Sequence, residues 1–208
     1  MEKIYGIVLK KHLHSPKHWV IAELFGKVEL FFKAPRTTLA RLLPGSLISF
    51  SITKKQALEY ADNIELIAPP STNSVEKCAW LHHILELYDH FTVPEVDASL
   101  FNSMKEHLLA LSYEQLDTTV FSSIHMLYVS NFLVNTGFYH SPALYFYQKC
   151  FKFITLQNNQ GTFSTSALET LEYIRDNELL KLQKVITQCL KKHPNFLQFN
   201  TVPFVYAH

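Results

Sequence analysis

The sequence predicts an α+β protein in which a five-stranded N-terminal β-barrel is followed by an all-helical domain. Apolar residues recur with a period of two in the first 68 residues and with a period near 3.6 after residue 74. The first period is typical of strands and the second of amphipathic helices. The change falls at the polar, proline-containing segment of residues 69–74. We therefore expect a barrel at residues 1–68, a linker at 69–74 and a helical domain at 75–208.

Five short strands are predicted in the first domain. They cover residues 4–11, 19–25, 28–34, 47–52 and 58–67. A helical turn at residues 38–43 separates the third strand from the fourth, and Pro44-Gly45 makes the turn that follows. Five strands with one short helix after the third match an OB-like barrel.

The second and third strands are expected to form a hairpin. Their apolar residues share one face only if the loop has an odd length, and Phe25-Gly26-Lys27 fits a three-residue turn. That register places Trp19 opposite Lys33 and Ile21 opposite Phe31. The outer row would then carry aromatic residues and lysines, as single-stranded nucleic-acid binders do. The same row could instead lie under the next domain.

Apolar periodicity predicts five helices beyond the linker. Asn73, Ser112 and Ser166 are followed three residues later by Glu or Gln, which is the capping-box pattern of a helix start. The other two helices cover residues 98–111 and 178–192. The intervening segment at residues 138–163 is aromatic and less regular. We expect residues 151–156 to be extended and residues 158–161 to form a turn.

Charge is distributed unevenly along the chain, although the net charge is only +1. Residues 1–55 contain ten Lys and Arg against three acidic residues, a net charge of +7, and the remainder carries −6. A basic module on a mildly acidic body is a plausible footprint for a polyanion. Segregated surface charge without a partner is the alternative.

The sequence contains none of the common catalytic or metal-binding motifs. The five glycines are far apart, so there is no phosphate-binding loop, and the acidic residues are scattered. Three widely spaced cysteines, Cys78, Cys150 and Cys189, suit a reducing cytosol. No apolar run approaches the ~18 residues of a membrane span. We expect no enzyme activity, no cofactor, no metal site and no membrane association.

Candidate nucleic-acid contacts fall into two groups. The first lies in the barrel, where cations could meet phosphates and aromatic rings could stack on bases: Lys10, Lys11, Trp19, Lys27, Phe31, Lys33, Arg36, Lys54 and Lys55. The second is a stripe on the last predicted helix: Lys181, Lys184 and Lys191. For this stripe, an ordinary solvated face is the favoured alternative.

Short motifs in both domains resemble those of the bacterial recombination-mediator protein RecO family. In the barrel they are Gly6-Ile7-Val8-Leu9-Lys10, Leu24-Phe25-Gly26-Lys27, Phe32-Lys33-Ala34-Pro35-Arg36 and Leu43-Pro44-Gly45-Ser46-Leu47. In the helical part, residues 132–138 followed by Pro142-Ala143-Leu144 are similar to the family's F-x-x-x-L-x-x-x-G-x-x-P-x-L segment.

The resemblance implies a role in DNA repair and recombination. Members bind single- and double-stranded DNA, anneal complementary strands and, with RecR, help to load recombinase onto strands coated by single-strand-binding protein. It further implies docking of the C-terminal tail of single-strand-binding protein, and a bacterial cytoplasmic, nucleoid-associated location. Two alternatives stay open: a non-catalytic protein-interaction adaptor, and an RNA-binding accessory protein with an OB domain.

The chain departs from this family at its zinc finger. Many members carry two C-x-x-C pairs after the Gly/Pro segment, whereas this region contains only Cys150. We expect a degenerate, metal-free finger-like region near residues 145–165. Its stability would come from packing among aromatic residues: Phe146, Phe151, Phe153 and Phe163.

Overall fold

The computed structural model describes residues 2–12, 15–55, 58–70, 73–93, 98–113, 118–137, 141–159 and 162–206. The chain divides into two compact units, residues 1–111 and 112–208. This division lies beyond the linker expected at residues 69–74. Two helices that follow that segment, α2 (Val75–Phe91) and α3 (Ala98–Ala110), belong to the same unit as the strands.

The first unit contains a closed, OB-like barrel of five strands, which confirms the predicted fold class. The strands are β1 (Ile4–Lys11), β2 (Lys17–Ala22), β3 (Gly26–Phe32), β4 (Leu47–Lys55) and β5 (Leu58–Ala68), and α1 (Arg36–Arg41) follows β3. Their order around the barrel is β1-β2-β3-β5-β4. The described pairs are antiparallel except β3 with β5, which pair in parallel and close the barrel.

Alternating apolar residues fill the barrel, as the period of two predicts. The buried cluster includes Val8, Val20, Leu30, Ile48 and Phe50. Gly6 lies where strands crowd this core: a Cβ there would come within 2.6 Å of Val20 Cγ1 and 2.9 Å of the Phe50 ring. Glycine is therefore required at this position by close approach.

The β2–β3 hairpin has a different register from the predicted one. Trp19 pairs with Glu29 and Ile21 pairs with Lys27, so the three-residue turn is at positions 23–25. Gly26 has φ of +64° and pairs with Ala22 as the first residue of β3. The glycine thus occupies the left-handed position that ends the loop, a usual arrangement in three-residue hairpins. The turn is still odd, so the predicted inner faces are retained.

Helix α2 begins with a side-chain cap. Ser74 Oγ accepts a hydrogen bond from the Lys77 backbone N–H at 3.1 Å, so the cap is Ser74 and not the predicted Asn73. Its buried face includes Trp80, Ile84 and Leu87. The first unit thus combines a β-barrel with a conventional amphipathic helix.

The second unit is helical. Its elements are α4 (Thr118–Asn135), α5 (Pro142–Leu156), β6 (Asn158–Asn159), β7 (Thr162–Phe163), α6 (Thr165–Tyr173), a π-helical segment (Ile174–Glu178), α7 (Leu179–Lys191), a 3-10 turn (Phe196–Gln198) and α8 (Val202–Val205). Residues 123–130 of α4 are all buried, so α4 is the central helix. Ser164, not the predicted Ser166, caps α6, while the proposed Ser112–Gln115 box lies partly outside the described residues.

The finger-like region consists of α5 and a small hairpin, β6 with β7. The expectation that residues 151–156 are extended is wrong, because they form the end of α5. Phe151 and Phe163 are buried, but Phe146 and Phe153 are 49% and 42% exposed. Only two of the four phenylalanines expected to stabilise this region therefore lie in its core.

Among the residues that the structure describes, no helix is both long enough and apolar enough to cross a bilayer.

Candidate nucleic-acid interface

One part of the outer barrel surface is buried within the first unit. Ile7 and Ile21 point outward from β1 and β2, yet they are 1% and 0% exposed. Helix α2 contacts β1, and helix α3 contacts β1, β2 and β3. The alternative interpretation placed the outer row under the next domain, predicted at residues 75–208. Helices α2 and α3 fall in that range and cover this part of the row, although they belong to the same unit as the barrel.

Lys27 belongs to this covered region and is not an open phosphate contact. Its side chain is 8% exposed, and Nζ lies 2.8 Å from Asp89 Oδ1. The same ammonium donates to the carbonyl oxygens of Asp89 and Thr92, at 2.5 and 3.3 Å. It also lies 5.3 Å from the centroid of the half-buried Trp19 ring. Lys27 therefore joins the barrel to α2, and Trp19 contacts this buried cation.

A second part of the outer surface carries a pair of aromatic rings. Phe31 and Tyr60 pair across the parallel β3–β5 junction, and their ring centroids are 5.5 Å apart. Both side chains are only partly buried. Lys17 Nζ lies 5.0 Å from the Phe31 centroid. Adjacent, solvent-accessible rings beside a cation are the elements of a base-stacking platform.

Exposed cations lie on elements that adjoin this strand junction: the residue after β3, the end of β4 and the start of α1. Lys33 follows β3 and its side chain is 67% exposed, while Lys54, near the end of β4, is 75% exposed. Arg36 is exposed at the start of α1. Lys55 pairs with Leu58 in the strand ladder, but its side chain lies outside the described residues. We call Phe31, Tyr60, Lys17, Lys33, Arg36 and Lys54 the aromatic platform.

The two predicted lysines of β1 lie elsewhere. Lys10 is exposed and pairs with Trp19 in the β1–β2 ladder. Lys11 is half-buried, and its Nζ donates to the Leu39 carbonyl oxygen at 2.6 Å. This bond ties β1 to α1, which assigns Lys11 a structural role.

Carboxylates offset much of the positive charge of the barrel. Lys17 lies 3.1 Å from Glu29, Lys54 lies 2.7 Å from Glu59, and Lys33 lies 3.9 Å from Asp62. The closing strand contributes three acidic residues and no basic one, so residues 1–68 carry +4 and the first unit carries zero. The net charge of +7 for residues 1–55 therefore overstates the positive charge of the barrel, because residue 55 lies just before the acidic strand β5.

His18 in β2 is buried and adds little positive charge to the barrel. His18 is 3% exposed and packs edge-on against Phe32, with ring centroids 4.6 Å apart. Burial, with smaller contributions from Lys11 and His12, lowers the pKa of His18 to about 4. Leu13 and His14 lie outside the described residues. Among the residues that are described, no three His, Cys, Asp or Glu side chains form a metal-binding group.

The second predicted basic group lies on α7. Lys181, Lys184 and Lys191 are exposed, and Lys181 Nζ lies 2.8 Å from Glu178 Oε1. Tyr147 also donates to Glu178, at 3.0 Å. The stripe therefore exists, although one of its three lysines has a carboxylate partner.

Sequence reasoning missed Tyr60 and Lys17. Tyr60 lies in the predicted closing strand at residues 58–67, and its position beside Phe31 depends on the parallel β3–β5 pairing. Lys17 precedes the predicted second strand, which begins at residue 19, whereas in the structure it is the first residue of β2. Extending the alternation of β2 back by two residues would have placed Lys17 on the same face as Trp19.

The fold and the site define a class of protein: an OB-like barrel with an outward-facing aromatic platform, followed by helices. No protein-family model matches the chain, and no curated protein matches it. The resemblance to the RecO family accordingly depends on the motifs alone. In the structure, the Gly/Pro motif spans the end of α4, where Gly137 has φ of +70°, and the start of α5.

Proposed function

We propose that this protein binds single-stranded DNA on the aromatic platform and acts as a recombination mediator in DNA repair. The observation that carries the proposal is the Phe31–Tyr60 ring pair, with Lys17 beside Phe31 and with Lys33 and Lys54 exposed at the ends of the adjoining strands. Bases can stack on such rings regardless of sequence, because every base has a π-face. The role assigned is binding, with no catalytic step.

The ion pairs of the platform are compatible with phosphate binding. Surface ion pairs contribute only about 0–1 kcal/mol each, so a phosphate can replace a carboxylate at low cost. Lys33 and Lys54 remain more than two-thirds exposed although each has an acidic neighbour. We infer that the neighbouring carboxylates weaken the electrostatic attraction between the lysines and DNA. Base stacking on the two rings then provides most of the affinity for DNA.

The central experiment is a titration of labelled single-stranded DNA at several salt concentrations. Replacing both rings, Phe31→Ala with Tyr60→Ala, should weaken binding by about 2 kcal/mol or more, because each stacked base contributes about 1–3 kcal/mol. Reversing Lys33, Arg36 and Lys54 to Glu should also weaken binding and reduce the salt slope by about 0.7 for each lost contact. Circular dichroism would establish that both variants fold.

The matched control is Lys181→Glu with Lys184→Glu and Lys191→Glu. It makes the same change in net charge on α7. If this control weakens binding as much as the barrel variant, the site is not on the platform. A matched RNA strand distinguishes the RNA-binding alternative, since tighter binding of RNA would contradict a DNA mediator.

The mediator role also implies partners. Single-strand-binding protein would offer an acidic, apolar-ended C-terminal tail, which requires an apolar recess with cations at its rim. The described residues offer two places: a cavity of about 540 Å³ lined by Pro142, Tyr145, Phe146 and Lys149, and the exposed α7 surface at Lys181 and Lys184. The same proposal includes binding of RecR, binding of duplex DNA and annealing of complementary strands. It also includes a location at the nucleoid in the bacterial cytoplasm.

Calorimetry with a tail peptide tests the partner proposal. The peptide should bind, and the same peptide without its terminal Phe should not. Lys149→Glu with Lys152→Glu, compared with Lys181→Glu with Lys184→Glu, would locate the site. If neither peptide binds and intact single-strand-binding protein blocks access to DNA, the mediator role fails and a nucleic-acid-binding module remains.

A further inference from the structure

Helix α5 has an outward face that combines apolar side chains with positive charge. Lys149 and Lys152 are its only charged residues. Phe146 is 49% exposed, Phe153 is 42% exposed and Leu156 is 83% exposed. We call this the basic face, and it consists of Tyr145, Phe146, Lys149, Lys152, Phe153 and Leu156. Burial of rings and leucine of this size would be favourable in any interface.

Helix α6 has an outward face of the opposite charge. Glu169 and Glu172 are its only charged residues, and both are exposed. Leu168 and Tyr173 beside them are 37% and 53% exposed. We call these four residues the acidic face. Helices α5 and α6 contact each other within the second unit.

In the part of the chain that the structure describes, the charges of these two faces have no ion-pair partners. Within the described residues, no carboxylate lies within 4.0 Å of Lys149 or Lys152, and no cation lies that close to Glu169 or Glu172. On each helix the two like charges are three positions apart, on neighbouring parts of one surface, where they repel each other. A partner of opposite charge would relieve the repulsion on both helices.

The two faces also match in spacing. Residues three apart on a helix are separated by about 4.5 Å along its axis. Lys149 with Lys152, and Glu169 with Glu172, therefore have the same axial separation. The cavity of about 540 Å³ beside Lys149 supplies a recess for an anchoring side chain.

We propose that the basic and acidic faces form a two-fold symmetric interface between two copies of this chain. In such an interface, α5 of one copy lies on α6 of the other, and the symmetry repeats the contact. Each copy then contributes two cations and two anions, so four opposite-charge contacts form around a centre of exposed aromatic and leucine side chains. The charge complementarity favours a second copy over an acidic peptide, because a peptide would leave Glu169 and Glu172 unpaired.

Sedimentation velocity and light scattering across a wide range of protein concentration test this proposal. The full chain should form a dimer. Lys149→Glu with Lys152→Glu should raise the dimer dissociation constant by at least about tenfold, because like charges then face each other. Glu169→Lys with Glu172→Lys should do the same. The variant with all four changes should dimerise again, because the charges are exchanged and remain complementary.

Two further measurements define the outcome. Lys184→Glu with Lys191→Glu, on α7, changes the net charge equally and should leave the dimer intact. Far-ultraviolet circular dichroism and the unfolding midpoint exclude loss of fold in the variants. A monomeric wild-type chain at all concentrations overturns the proposal, as does a fourfold variant that stays monomeric while folded. Binding of an acidic peptide to a monomer through Lys149 and Lys152 would assign the basic face to that peptide instead.

Single-stranded DNA binding in the central titration does not depend on this interface. The variants in α5 and α6 leave the aromatic platform unchanged. A dimer with no DNA affinity would therefore overturn the proposed function alone, and DNA binding by a monomer would overturn the dimer alone.

Discussion

Lys27 and Lys54 are both barrel lysines paired with a carboxylate, yet their surroundings differ. The Lys27 side chain is 8% exposed and that of Lys54 is 75% exposed. Lys27 also donates to two backbone carbonyls, whereas Lys54 has Glu59 as its ion-pair partner. A buried ion has lost its hydration, so it depends on its partners far more than a surface ion does.

We expect this difference to appear in stability. Lys27→Ala should lower the free energy of unfolding by about 3 kcal/mol, because it leaves Asp89 and two carbonyl oxygens without their cation. Lys54→Ala should change it by about 1 kcal/mol or less. Urea unfolding of the two variants measures both effects. Equal, small losses would show that the Lys27–Asp89 pair does not stabilise the first unit.

Two buried histidines predict a pH dependence of stability. Burial lowers the pKa of His83 to about 3, and burial assisted by Lys11 and His12 lowers that of His18 to about 4. Both values lie below the ordinary value of 6.5, so the unfolded chain binds protons first as the pH falls. The stability that depends on neutral imidazoles should be complete above pH 6.5 and should decline toward pH 4 and below.

The measurement is the urea midpoint between neutral and acidic pH. His18→Leu should flatten the decline, with His82→Leu as the matched control at an exposed position. A midpoint that does not change between pH 6.5 and pH 4 would contradict this origin of acid sensitivity.

At the scale of elements, strand β5 determines both the aromatic surface and the charge of the candidate site. It brings Tyr60 next to Phe31, and it also brings Glu59 and Asp62 next to Lys54 and Lys33. The strand that completes the stacking surface therefore also reduces its charge. Salt dependence should accordingly be weaker than ten barrel cations would suggest.

Removing these carboxylates should strengthen DNA binding. We expect Glu59→Gln with Asp62→Asn to increase affinity for single-stranded DNA several-fold at low salt, since two lysines are released for phosphate contact. Glu169→Gln with Glu172→Gln makes the same charge change in the second unit and serves as the control. An affinity gain equal in both variants would reflect net charge and not the platform.

The sequence predicted strands more reliably than the contacts between them. The alternation of apolar residues was sufficient to predict which side chains face the barrel core, because burial on one face of a strand repeats every two residues. It could not predict the β2–β3 register, which depends on Gly26 occupying the left-handed position at the end of the loop. Nor could it predict the parallel β3–β5 pairing, because nothing local in either strand specifies a partner so distant in the chain.

At the scale of the whole molecule, the charge count of residues 1–55 predicted a basic N-terminal module. Its boundary at residue 55 separated the lysines from the acidic residues of β5, α2 and α3 that share their unit. Asp89 is the clearest case, because it follows Lys27 by 62 positions and yet contacts it. The burial of Lys27 therefore required three-dimensional information, whereas the exposure of Lys33 and Lys54 followed from their positions at strand ends.

The contact between Lys27 and Asp89 joins the barrel to α2, so a fragment without α2 loses a buried ion pair. A fragment that stops at residue 68 would include all five barrel strands but would expose Ile7, Ile21 and an unpaired Lys27. We expect that fragment to aggregate on expression, and a fragment ending at Leu111 to remain monodisperse and cooperative in melting. A well-behaved shorter fragment would show that the barrel needs no helical cover. The smallest autonomous fragment that contains the barrel should therefore be the first 111 residues, which end well beyond the last barrel strand.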